Sequence, residues 1–230
     1  MIRKFRTIVT GISCLLLFLT STSCKKDQES FNMQYDYFPL NEGNYVIYSV
    51  HEVFVDQQIQ QKDTFDYFIK TVIGDTIMDN SGRIAREFER YYSTNANGPW
   101  TIHDIWTAII DGSRGELVEE NNRTIKLVFA PSEDDEWDMN TYNTLGGLDC
   151  YYSNLHQSYS INGHSFSSTV TVEQEDFSSF IDSRRKYEVY AKGVGMVHKY
   201  FKDFIIINGD PSNVKKGHLL DMRLVSYGQE

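Results

Sequence analysis

Along most of the chain, apolar and polar residues alternate with a period of two rather than with the spacing of a helix. Residues 44–55, NYVIYSVHEVFV, are β-branched and aromatic and carry no helix cap, which predicts a strand. Phe65, Tyr67, Ile69, Thr71 and Ile73 share one face of a second strand, because successive side chains point to opposite sides. Gly74-Asp75 and Asn80-Ser81-Gly82 punctuate the chain beyond it. Residues 84–92 read as a third strand, although AREFERYY also suits a short helix. Residues 100–110 and 123–129 read as a fourth and fifth, the latter ended by Ala130-Pro131. The runs 147–161 and 165–173 flank Asn162-Gly163. That dipeptide between two strand-like runs predicts a hairpin, since a type I′ turn needs positive φ at both central residues. Residues 176–183 suit one short helical turn. Runs 186–191, 196–207 and 218–227 predict three closing strands, with Gly193 and Gly195 at a tight turn or bulge.

The expected fold is therefore mostly β, with about eight to ten antiparallel strands. They curl into a barrel or half-barrel, with at most one or two short helices besides the signal segment. Closure hides strand edges that would otherwise pair with other chains. A two-sheet β-sandwich is the alternative.

The first thirty residues break the pattern. Arg3, Lys4 and Arg6 precede an apolar run from Ile8 to Leu19, then small polar residues and Cys24. This is the layout of a secretory signal. The apolar run is shorter than the roughly 20 residues needed to span a bilayer. Thr22, Ser23 and Cys24 resemble the lipobox of bacterial lipoproteins, with Ser21 where that pattern usually has Leu. The resemblance implies signal removal and acylation of Cys24, with an ordinary secreted protein as the alternative. The division expected is a signal peptide at 1–23, a flexible tether at 24–36 and a single β-rich domain at 37–228. Lys25-Lys26-Asp27 and Glu29 partly resemble signals that send some Bacteroidetes lipoproteins to the cell surface, so the periplasmic and outer faces both stay open.

Charge narrows the partners. The leader carries three basic residues and no acidic one. The remaining 207 residues hold 19 Lys and Arg against 32 Asp and Glu, a formal charge of −13. A surface that neutralises phosphates needs the opposite sign, so no nucleic-acid partner is expected. The expected membrane association runs through the lipid alone. Cys14 leaves with the signal and Cys24 is acylated, so Cys150 stands alone and reads as a small buried apolar residue.

Catalytic and metal signatures are absent from the sequence. None of the six His lies in HExxH or pairs with a second Cys or His at zinc spacing. No GxSxG occurs. The run Glu133 to Glu136 lacks the glycine and closing carboxylate of a calcium loop, and reads as solvated charge. Gly193-Val194-Gly195 has no following Lys-Ser/Thr and is not a phosphate loop. The expectation is a protein without cofactor, without metal and without catalytic residues.

Two stretches resemble a family of Bacteroidetes outer-membrane lipoproteins with no established activity. The first is Tyr37-Phe38-Pro39-Leu40-Asn41-Glu42-Gly43-Asn44-Tyr45-Val46-Ile47-Tyr48, where Tyr45 replaces a commoner Trp. The second is Glu188-Val189-Tyr190-Ala191-Lys192-Gly193-Val194-Gly195-Met196-Val197. The resemblance implies an outer-membrane location and a β-rich fold. Physically both motifs read as architecture: Pro39 and Gly43 shape the approach to the first strand, and Gly193 and Gly195 link two late ones.

Two noncatalytic roles fit. One is a curved sheet whose concave face holds an apolar or amphiphilic ligand, which calls for an interior pocket of several hundred Å³. The other is a surface glycan- or protein-binding factor, with Trp100, Trp106 or Trp137 as exposed stacking residues. Replacing Cys24 by Ala is expected to abolish acylation. Palmitate labelling that persisted in that variant would place the lipid elsewhere.

Overall fold

In the computed structural model, residues 31–230 are described; the segment expected as a signal peptide, Cys24 and the first part of the expected tether lie outside them. The chain forms twelve strands. The first six are β1 (Asn44–Asp56), β2 (Gln61–Met78), β3 (Ile84–Ser93), β4 (Thr101–Asp111), β5 (Arg114–Glu119) and β6 (Asn122–Val128). The others are β7 (Glu136–Asp138), β8 (Asp149–Ile161), β9 (His164–Ser178), β10 (Asp182–Ala191), β11 (Gly195–Ile207) and β12 (Asp210–Gln229). Only two single 3₁₀ turns, Tyr35–Tyr37 and Gln57–Ile59, accompany them among the described residues.

All twelve belong to one antiparallel sheet in the order β6-β5-β4-β3-β2-β1-β12-β11-β10-β9-β8-β7. The sheet curls almost into a closed barrel with a single seam, between β6 and β7. The expected barrel is thus the observed architecture, with more strands than the pattern suggested. β5 was hidden because RGELVE carries three charged residues in six, and β7 because it is three residues long. Residues 176–183 form no helical turn. β9 runs through Ser178, and a tight turn, closed by Ser179 N–H donating to the Asp182 carbonyl at 2.8 Å, leads into β10.

Side chains bridge the seam. The Tyr152 hydroxyl accepts from Val128 N–H at 2.8 Å and donates to the Val128 carbonyl at 2.7 Å. Trp137 Nε1 donates to the Ile125 carbonyl at 3.0 Å, and Ile125 N–H donates to the Met139 carbonyl at 2.9 Å. These bonds occupy backbone groups of β6 that a free edge would expose.

The Asn162-Gly163 turn joins β8 to β9 with φ of 47° and 83°, as a type I′ hairpin requires. This hairpin does not simply extend the wall. Asn154 and His156 both have positive φ, and the register jumps from Ser153↔Thr171 to Gln157↔Thr169. The hairpin end crosses the outer face of β10 and β11. Asn162 Nδ2 donates to the Leu224 carbonyl at 2.9 Å, and His164 Nε2 lies 2.8 Å from the Val225 carbonyl. Val225 is the extra residue of a bulge where β12 pairs with β1, which frees its carbonyl. Beneath the arm, the Tyr159 hydroxyl meets His198 Nδ1 at 2.6 Å, and His198 Nε2 meets Asp221 at 2.9 Å.

One end of the barrel is plugged by the segment ahead of β1. The compact unit begins at Met33, so residues 33–36, expected as tether, are packed. Tyr35 sets its ring edge-on to Phe129 at 4.9 Å, and Tyr37 is fully buried. The two motifs distant in sequence meet here. Gly193 N–H donates to the Asp36 carbonyl at 2.7 Å, and a Cβ on Gly195 would lie 3.5 Å from the Pro39 ring. Gly43 N–H donates to the Ile73 carbonyl at 2.8 Å, and its own carbonyl accepts from Glu230 N–H at 2.9 Å. Gly195 has φ +93°, a conformation that L side chains rarely adopt. Gly195→Ala is expected to lower stability by roughly 1–3 kcal/mol, read as a lower urea midpoint. An unchanged midpoint would show that the plug tolerates a side chain there.

Candidate functional site: the interior cavity

Above the plug, the barrel encloses a cavity of about 160 Å³. Its walls are set by strand period. Val46 and Tyr48 of β1, Leu117 of β5, and Leu220 and Met222 of β12 point inward, and Phe38 and Leu40 of the plug close one end. Trp106 lies parallel to Phe88, with centroids 6.3 Å apart, and the Arg90 guanidinium lies over its ring at 4.0 Å. Asp104 fixes that guanidinium at 2.8 Å.

Charge gathers on the far wall. Lys126 Nζ sits 2.9 Å from Glu119 Oε1 and 3.5 Å from Glu188 Oε1, and Lys199 Nζ sits 3.2 Å from the same Glu188 oxygen. The Tyr190 hydroxyl donates to Glu188 Oε2 at 2.7 Å. Lys126 reaches this place through a bulge. Gly115 pairs with Leu127 and Glu116 with Ile125, so Lys126 is the extra residue of β6 and turns inward beside Leu127.

Burial by itself would push the Glu188 carboxyl up. Lys126, Lys199 and the Tyr190 hydroxyl outweigh it and hold the group at about 2. Burial likewise pulls the Lys126 ammonium down, and Glu119 and Glu188 outweigh that, so its pKa is raised. Each buried charge is stabilised only by its neighbours, and removing one strands another. Two ammonium groups face two carboxylates, and Arg90 faces Asp104, so the cavity carries no net charge.

The enclosed volume falls below the several hundred Å³ expected from sequence. A dry cavity of about 150 Å³ accepts a benzene-sized group. The inner face continues past it, however. Two residues beyond Lys199 and Leu220 on the same face stand Phe201 and His218, which border an open pocket of about 500 Å³.

The three tryptophans stand apart. Trp137 is buried against Tyr152 in the core, Trp106 lines the cavity, and Trp100 is half-buried just ahead of β4. The acidic run serves local turns: Asp135 accepts from Ser132 N–H at 2.9 Å, and Glu136 begins β7. Cys150 is buried, and burial pushes its thiol up to about 12. Among the described residues no cluster of His, Cys, Asp and Glu has the grouping of a metal site. Sequence reasoning missed Glu119, Lys126, Glu188 and Lys199. The one signal for Glu119 and Glu188 was a charge in phase with Leu117 and Tyr190, and phase alone does not say which face is inside; Lys126 sits at a bulge, which breaks its phase.

No protein-family model matches this chain, and no curated protein matches its sequence. Among solved structures, a crystal structure described as a "putative lipoprotein" from Parabacteroides distasonis is similar. It is 14% identical with a TM-score of 0.38, and the match covers 82% of this chain and 98% of that one.

Glu188 makes stability depend on acid. Its folded pKa of about 2 lies below its ordinary 4.5, so its contribution is complete above pH 4.5 and disappears as pH falls toward 2. Asp221 is also held at about 2, its burial outweighed by His198 and Arg223, and it titrates in the same window. Glu188→Gln is expected to cost about 3–5 kcal/mol at pH 7. Urea midpoints measured from pH 2 to 6 should also show a shallower slope for the variant. Parallel curves for the two proteins would contradict the pairing described here.

Proposed function

We propose that the protein is a lipid-anchored envelope protein and a noncatalytic binding module for an apolar or amphiphilic ligand. The observation that carries this reading is the cavity itself: apolar walls, one plugged end, and charges that neutralise one another. A ligand bringing a net charge into the enclosed part would find its countercharge already engaged, and would be desolvated without compensation. A neutral, apolar group loses nothing there and gains from leaving water. The enclosed volume suits the apolar end of a molecule whose remainder lies along the open inner face. The anchor rests on the signal layout and Cys24. The outer membrane as its address rests on the resemblance of the two motifs.

The test is the identity of what travels with the protein. Full-length protein isolated from its native envelope is extracted and read by mass spectrometry, beside Leu117→Phe, which fills the cavity from β5. A neutral or amphiphilic species enriched in the unmodified protein and reduced at least severalfold in a folded Leu117→Phe variant is expected. Identical extracts from the two would remove the proposal.

A further inference from the structure

At the end of the barrel opposite the plug, the inner face carries a further pocket, which shares Phe54 with the open pocket of Phe201 and His218. It lies near the β1–β2 turn, roughly 30 Å along β1 from its first residue. This open pocket, of about 530 Å³, is bordered by Phe54, Phe65, Tyr67 and Tyr92 together with Glu52. Asp66 and Thr64 complete its lining, so four aromatic rings stand with two carboxylates, and no Lys or Arg borders the pocket.

The rings are accessible and differently inclined. Phe65 is 50% exposed, and Phe54 and Tyr92 are each 38% exposed. Phe54 and Phe65 meet at 69° with centroids 6.4 Å apart, and Tyr67 and Tyr92 at 36° and 5.4 Å. Such faces, left to water, are a cost that a core position would have avoided. Aromatic faces carry a negative potential that attracts cations.

Glu52 is held in place from both of its oxygens. His218 Nε2 lies 2.9 Å from Oε1, and the Tyr67 hydroxyl donates to Oε2 at 3.0 Å. His218 is held in turn by a parallel stack on Phe54 at 4.3 Å. A quaternary ammonium needs no hydrogen-bond acceptor, and its methyl groups pack on aromatic faces.

We propose that Phe54, Phe65, Tyr67, Tyr92 and Glu52 form a binding site for a quaternary ammonium group. The acidic chain, with formal charge −10, favours the approach of such a cation. This site lies outside the enclosed cavity and does not rest on its occupancy.

The test uses full-length protein in nanodiscs of phosphatidylglycerol, which contain no choline. Binding of choline and of tetramethylammonium is measured by saturation-transfer NMR and calorimetry, beside 3,3-dimethylbutan-1-ol, the uncharged carbon analogue of choline. Saturable binding of both cations is expected, with the alcohol at least tenfold weaker. Tyr92→Leu and Glu52→Gln should each weaken choline tenfold or more, and Leu117→Phe should leave it unchanged. Tyr92 is partly exposed, so its variant tests the site even where Glu52→Gln disturbs folding. Equal binding of alcohol and choline would reduce the pocket to an apolar surface and overturn the proposal. So would the absence of saturable choline binding, or undiminished binding by folded Tyr92→Leu.

Discussion

Everything in this fold depends on the pairing of the first strand with the last. β1 and β12 run antiparallel from Asn44↔Gln229 to Asp56↔Lys216. Without that ladder the chain would be two six-stranded meanders, β1–β6 and β7–β12, joined at the seam by a few side-chain and backbone bonds rather than by a strand ladder. The ladder brings together residues nearly the whole chain apart, so its closure entropy must be met before the barrel returns any packing energy. The plug reinforces the same junction. Gly43 bonds to β2 and to Glu230, and the segment before it bonds to the turn between β10 and β11.

Closing the sheet this way creates an inside, and the alternation of strand residues then places charge in it. The sheet meets the problem twice. Inside, Glu188 and Lys126 sit among Glu119, Lys199 and Tyr190. Outside, Glu116 on the opposite face of β5 is fully covered, yet lies within 3.2 Å of Arg83, 3.0 Å of Arg114 and 2.7 Å of Arg123. The Tyr142 ring, 4.0 Å from the Arg123 guanidinium, helps to cover that cluster. Neither arrangement adds more stability than a well-packed apolar one would. Each limits what neighbouring groups can be replaced, because the loss of one partner leaves the others desolvated and unpaired. In the cavity that constraint also sets its chemistry: polar atoms are present but already committed.

Strand type and turn type were legible because both are local. NYVIYSVHEVFV alternates, and Asn162-Gly163 supplies the two positive φ values that a tight hairpin needs, whatever surrounds them. Which face of a strand looks inward was not legible. Period two separates Val189 and Ala191 from Glu188 and Tyr190, but the β8–β9 arm covers the first set and the cavity takes the second, so both are buried. The bulge at Lys126, the docking of the arm on Val225 and the meeting of Pro39 with Gly195 arise from register between strands distant in the chain. The sequence by itself determined that this would be a twisted, closing sheet of alternating strands behind a leader of basic and then apolar residues. Only the tertiary structure decided which charges share an interior and which aromatic rings stand open at its mouth, because those depend on contacts across the barrel and not along the chain.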